Sequence, residues 1–279
     1  MYAPEQWGTL QKFSNFYAET FKLSETGKRS ISGAANHFSK ALILRNLAIK
    51  ITPNLDADEA DLATNGYTHA INSKELSAVF EGAILELYSA VDCTRKVISE
   101  IYKKLQGIPS KSTRIYFKNV LEGKTDIKFP EQLVIAVKEA TWYDSFRILR
   151  DELTHHDTGR CHKDSDSGAI RYMHNGILIN GKCLIIDDIF EKLDSSINEV
   201  NQFIGRVFSH LLTELDDKPV RQFCGIFNSR MYSRFVSPFD TDGFHGGVCE
   251  SKQWFDLPDN PTCIFAGECG AYTREKKLL

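Results

Sequence analysis

The run Phe146-Arg147-Ile148-Leu149-Arg150-Asp151-Glu152-Leu153-Thr154-His155-His156-Asp157 holds the residue types needed to cut a phosphodiester without a metal. A histidine can take up or return a proton near neutral pH. An arginine fork can bind two phosphoryl oxygens and stabilise the negative charge that builds on them in the transition state. RNA carries its own nucleophile, the 2′-hydroxyl, so it is the polymer that a minimal Arg–His pair cuts most readily. Arg150 and His155 are five positions apart, about 140° around a regular helix, so they can flank one cleft but cannot stack on one stripe. Asp151 and His155 are four apart and share a face, so the carboxylate can accept a hydrogen bond from the imidazole and fix its tautomer. His156, six positions after Arg150, is the rival, and His155 is the preferred choice. Of the chain's eight histidines, these two alone follow an arginine at such a spacing. The bland alternative is that Arg150 makes a surface ion pair and the two histidines close a helix C-terminus.

Helices must position this run. Apolar residues at helical spacing predict helices over 4–23 and 31–50, and Pro53 follows the second as a stop signal. The segment from Asn54 to Asn65 is acidic and poor in apolar residues, so it reads as a linker or exposed loop. A long helix is expected from Asn72 to Leu105. Asn72 and Glu75 form its capping-box pattern, and one apolar face runs from Leu76 through Leu87 and Val91 to Leu105. Gly107 and Pro109 close it, and a short helix is expected over 111–121. Pro130 opens the next helix, which runs unbroken to about His156 and carries the motif at its end. The period then changes. Residues 169–186 predict a small hairpin, with two Asn-Gly pairs, at 175–176 and 180–181, competing for the turn. A last long helix is expected from about Asp188 to Leu215.

An Arg followed by a polar residue, three more residues and a His, at the end of a helix in a helical domain, resembles the HEPN superfamily, the higher eukaryote and prokaryote nucleotide-binding domains. Arg150, Asp151 and His155 carry the likeness, which covers about residues 73–215. The resemblance implies a metal-independent endoribonuclease without cofactor, with Arg150 and His155 catalytic and Asp151 supporting them. Asp151 stands where the family often has Asn, and it adds negative charge close to the place of the phosphate. The resemblance further implies a homodimer or higher oligomer in which the motifs of two copies share one cleft. Its setting would be a toxin–antitoxin or antiphage defence system, with an antitoxin or defence partner. The alternative is a HEPN module that binds nucleotide or scaffolds a complex without cutting; a plain helical interaction protein is the third reading. The expected fold is therefore mainly α: a HEPN-like bundle at 71–217 with the small hairpin, preceded by a helical region at 1–70. An irregular, aromatic-rich extension follows at 218–279.

Composition sets limits. The 279 residues are 42% hydrophobic and 25% charged, enough for a sizeable core, and the net charge of −3 argues against a protein that coats nucleic acid non-specifically. No apolar run is long enough to span a bilayer and Met1 to Gln11 lack a signal-peptide pattern, so a cytoplasmic protein with reduced thiols is expected. Other groups make weaker cases. Asp92, Arg95 and Lys96 can line the same cleft and hold RNA phosphates, although a solvated face with local charge pairs is the favoured reading. Cys224, Cys249, Cys263 and Cys269, with His245, contain no tight cysteine pair, so buried free thiols are preferred over zinc. His155, His156 and His162 show no clear metal geometry. Gly243 to Gly247 read as a turn, since no Lys-Ser/Thr follows as a phosphate loop requires. The aromatic tail can stack RNA bases or pack on a core; both remain open.

Overall fold

The computed structural model describes residues 4–108, 111–227, 229–240 and 246–274; Pro109, Gly243, Phe244 and His245 lie outside them. The architecture is mainly α-helical, with two small antiparallel sheets. The chain divides into two compact units, one of residues 1–14 and 23–210, the other of 15–22 and 211–279.

In the larger unit the helices are α1 (Pro4–Phe16), α2 (Glu25–Ile51), α3 (Leu55–Asn65), α4 (Ile71–Ile101), α5 (Thr113–Leu121), α6 (Glu131–Glu139) and α7 (Tyr143–His155). Helix α8 (Ile189–Thr213) carries the chain to the unit's end at His210. α2 lies along α4, which belongs to the core: Leu76, Phe80, Ile84, Leu87, Val91 and Ile98 are fully buried. Such a continuous apolar face stabilises each helix mainly through tertiary packing. α8 adds Leu193, Val200, Ile204 and Val207, and its Phe208 ring packs 5.3 Å from Phe13 of α1.

The first helix ends at Phe16 and not at residue 23, and two further elements differ from expectation. The acidic segment after Pro53 is a helix, α3, ended by Gly66 in the left-handed conformation. Only Leu55 of α3 is buried, so it has no apolar stripe to read. Its carboxylates hold it instead. Asp58 accepts from the backbone N–H groups of Asn72 and Ser73, at 3.4 and 2.8 Å, and so caps α4 from outside. Residue Ala70 is the N-cap and makes no side-chain bond, so the expected Asn72–Glu75 box does not form. The single helix expected from Pro130 to His156 is two, α6 and α7, broken at Ala140–Trp142. No proline or glycine marks the break. Tyr143 stacks on Phe117 with ring centroids 3.6 Å apart, and Trp142 sits edge-on to Phe146 at 5.6 Å, so aromatic packing sets the new helix direction.

After α7 come β1 (Arg160–Lys163), β2 (Ile170–Ile179) and β3 (Lys182–Ile186), an antiparallel sheet in the order β1-β2-β3. The hairpin turn is Asn180-Gly181, both at positive φ (52° and 77°), as a type I′ turn requires. The other pair, Asn175-Gly176, lies inside β2 where the register shifts between His174 and Leu178.

The smaller unit is more regular than its sequence suggests. β4 (Val220–Phe227), β5 (Arg230–Val236) and β6 (Val248–Cys249) form a second antiparallel sheet, followed by the one-turn helices α9 (Lys252–Phe255) and α10 (Gly270–Thr273). A register shift between Phe223 and Gly225 disturbs the alternation that would have announced β4. Tyr232 packs on Phe255, centroids 4.4 Å apart, and the Arg230 guanidinium stands 4.6 Å above Trp254. The tail aromatics thus divide: Tyr232 and Phe255 are buried within this unit, while Phe223 and Phe239 are exposed. Among the described residues no helix is long and apolar enough to cross a membrane.

Candidate functional site

Arg150 lies in the third turn of α7, on the face toward α4. Its guanidinium stands 4.6 Å over the ring of Tyr88, an α4 residue that is almost fully buried. The Tyr88 hydroxyl is 3.3 Å from that of Tyr143, and burial pushes the Tyr88 phenol above its usual range. Arg150 Nη1 also donates to Asp151 Oδ1 at 2.9 Å. The other oxygen, Oδ2, accepts from Arg147 Nη1 at 3.0 Å. Arg147 and Arg150 are three positions apart, on one face of the helix.

These groups open onto a cleft of about 420 Å³ between α7, α4, the start of α5 and His37 of α2. Its wall carries five cationic side chains, Lys96, Lys111, Arg114, Arg147 and Arg150, against two carboxylates, Asp92 and Asp151. In a chain of net charge −3, that is a local concentration of positive charge. Low-dielectric walls would focus its field on an anion.

Asp92 is the better buried of the two carboxylates in the wall. It accepts from Lys96 at 2.7 Å, from Arg95 at 2.8 Å and from the Thr113 hydroxyl. Burial alone would raise its pKa; the bonds from Lys96, Thr113 and Arg95 outweigh burial and hold it at about 2. Arg95 is 1% exposed, and its Nε donates to Thr113 Oγ1 at 3.2 Å. The expected local charge pairs are present and Lys96 is partly exposed, but Arg95 is buried and not part of a solvated face. Arg95 and Asp92 form a buried tie between α4 and α5, while Lys96 and Asp92 face the cleft. At the cleft's edge, His37 Nδ1 is 2.6 Å from Glu86, which also pairs with Lys40; these bonds hold Glu86 below the usual carboxylate range against the effect of burial.

His155 is the last residue of α7 and is exposed. It does not line the cleft, nor do His156 and His162. Asp151 accepts from Arg147 and Arg150, and the expected hydrogen bond to the His155 imidazole is not made. The fold brings Arg150 and Asp151 to the cleft and leaves His155 at its helix end.

The chain just beyond His155 is held firmly. Gly159 N–H donates to Glu81 Oε1 at 2.7 Å and to the Tyr172 hydroxyl at 3.0 Å, and that hydroxyl donates to the same carboxylate oxygen at 2.7 Å. His174 is fully buried: its Nδ1 accepts from Gly176 N–H at 3.1 Å, so Nε2 carries the proton and donates to the Asp157 carbonyl at 3.0 Å. Sequence reasoning misses His174, and the Asn175-Gly176 pair beside it reads as a turn candidate when it lies at an irregularity inside β2. It also misses Tyr88, Lys111 and Arg114, which nothing in local sequence marks. Arg147, one turn before Arg150, could be found by its spacing.

Elsewhere the seven cysteines are free thiols, with Cys93 and Cys161 buried and the four tail cysteines half-buried. Burial raises Cys161 to about 12, which suits an inert core thiol. Among the described residues no group of three or more His, Cys, Asp or Glu side chains is arranged to hold a metal ion. Neither a family model, nor a curated protein, nor a solved structure matches this chain.

Proposed function

We propose that this chain is a metal-independent endoribonuclease of HEPN type, acting as a homodimer or higher oligomer. The observation that carries the reading is Arg150: a partly exposed guanidinium, stacked on Tyr88 and braced by Asp151, in a cleft rich in positive charge. Such a group is suited to hold a phosphodiester by two oxygens. His155, five residues on, is exposed at the end of the helix, which is compatible with the composite site of two copies that the resemblance implies. In the proposed step the RNA 2′-hydroxyl attacks the adjacent phosphorus and loses its proton to a base. The 5′-oxygen leaves with a proton from an acid, and a 2′,3′-cyclic phosphate remains. His155 serves as base or acid, and Arg150 stabilises the charge on the non-bridging oxygens. By the same resemblance the setting is a toxin or antiphage effector with its partner.

Purified protein given single-stranded and structured RNA in EDTA tests this. Cleavage that yields 2′,3′-cyclic phosphate ends is expected, with rates falling by about a hundredfold or more in Arg150→Ala and in His155→Ala. Unchanged cleavage in both variants would sink the assignment. One observation favours the second reading, a non-cleaving module: His155 does not line the cleft of its own chain. RNA or nucleotide binding without cleavage would support it.

A further inference from the structure

Within the cleft the cations are not equivalent. Arg147 and Arg150 share Asp151, and Lys96 pairs with Asp92. Lys111 and Arg114, at the start of α5, have no carboxylate partner among the described residues, and both are exposed. Two cations left without anions on one wall of a cleft repel each other unless an anion joins them. The backbone that carries them is nevertheless held. Ser112 caps α5 by accepting from Ile115 N–H at 3.2 Å, and Thr113, between the two cations, is tied to Asp92 and Arg95 of α4. That tie preorganises the backbone of the wall before any ligand arrives, which leaves only side chains to be ordered on binding. The first turn of α5 adds its positive dipole end to the same place.

We propose that Lys111 and Arg114, with Lys96 beside them, form a subsite for a backbone phosphate of the RNA away from the bond that is cut. Assigning RNA as the ligand rests on the ribonuclease reading above. Arg150 holds the scissile phosphate, and the α5 wall holds the strand in register. A cleft of about 420 Å³ is in the size range of sites for small ligands or a few strand units, and its polar, cationic wall suits phosphodiester rather than an apolar group. Phosphate binding of this kind positions a strand and carries no base information.

The test uses the full chain and a fluorescein-labelled 2′-O-methyl oligonucleotide, which lacks the nucleophile and so reports binding without cleavage. The double variant Lys111→Gln/Arg114→Gln is compared with Lys128→Gln/Lys138→Gln, exposed lysines that do not line the cleft. The wall variant is expected to bind about tenfold or more weakly. The slope of log affinity against log salt should become shallower by about 0.7 for each phosphate no longer neutralised. On cleavable RNA its KM should rise while kcat is kept, because binding that is equal in ground and transition states is removed. An unchanged affinity and salt slope, or an equal weakening in the control variant, overturns the subsite. Tripolyphosphate serves as a competitor; if it displaces the strand at far lower concentration than unlabelled oligonucleotide does, the wall serves a free polyphosphate and the RNA assignment is overturned. The two readings fail separately. Wild-type protein that binds through this wall but cuts nothing removes the ribonuclease reading alone. Cleavage with KM unchanged in the wall variant removes the subsite alone.

Discussion

Asp92 shows how one side chain can decide the shape of a site. Three donors hold its carboxyl at about 2, below the usual value of 3.8. A folded-state pKa below the unfolded one means stability that is present above about pH 4 and lost as pH falls toward 2. The shift corresponds to a contribution on the order of 2 kcal/mol. Asp92→Asn should therefore melt well below the wild type at pH 7. The gap should narrow between pH 4 and pH 2, as the wild-type carboxyl takes up its proton. A gap that stays constant over that range in urea melts would show that the charge on Asp92 is not what ties α4 to α5. Of the site's residues, Arg150 and Asp151 are legible in the sequence because α7 places neighbours in sequence close in space. Tyr88, Lys111 and Arg114 come from other elements, and nothing local in their sequence points to the cleft. Arg95 is misread for a related reason: a charged residue on a helix is usually solvated, and it is bonds such as those to Thr113 and Asp92 that permit its burial.

At the scale of elements, the end of α7 depends on a neighbouring sheet. A Cβ added at Gly159 would meet the Tyr172 ring and hydroxyl and the Met173 carbonyl. The close approach, not a positive φ, is what demands glycine here. Gly159→Ala should cost about 1–3 kcal/mol through overpacking, a fall in Tm of several degrees. Ribonuclease activity should fall more than stability does at a temperature where the variant is fully folded, since the segment that follows His155 is displaced. A variant with wild-type Tm would show that the Glu81–Tyr172 anchor can yield at no cost. Helix α3 makes the opposite point. It has no apolar period, and Asp56 and Asp58 secure it by pairing with Lys163 and by capping α4. Periodicity cannot see an element held by its charges.

For the whole molecule the decisive question is whether two copies complete one site. His155 stands outside the cleft that holds Arg150, so a composite site would take Arg150 from one copy and His155 from the other. Arg150→Ala and His155→Ala proteins, each inactive alone, should then regain part of the wild-type rate when unfolded and refolded together, because a mixed dimer holds one site with both groups intact. No recovery in mixtures shown to contain mixed dimers would place both groups in one chain's site. A protein that sediments as a monomer throughout the active concentration range would remove the composite site altogether. Residues 211–279, with 15–22, form a compact unit of their own whose sheet the sequence does not announce. The shift between Phe223 and Gly225 breaks the alternation on which a strand is recognised.

The long helices α4 and α8, the hairpin over 169–186 and the Arg150–His155 spacing were determined by sequence alone, because apolar period and turn chemistry act over a few residues. Tertiary structure decided the rest. It split the expected motif helix at Ala140–Trp142 through the stacking of Tyr143 on Phe117. It chose Asn180-Gly181 over Asn175-Gly176 as the turn, which leaves His174 inside the sheet, within hydrogen-bond distance of the Asp157 carbonyl. It also gathered Lys96, Lys111, Arg114 and Arg147 around Arg150, a field that exists only when α4, α5 and α7 are packed together.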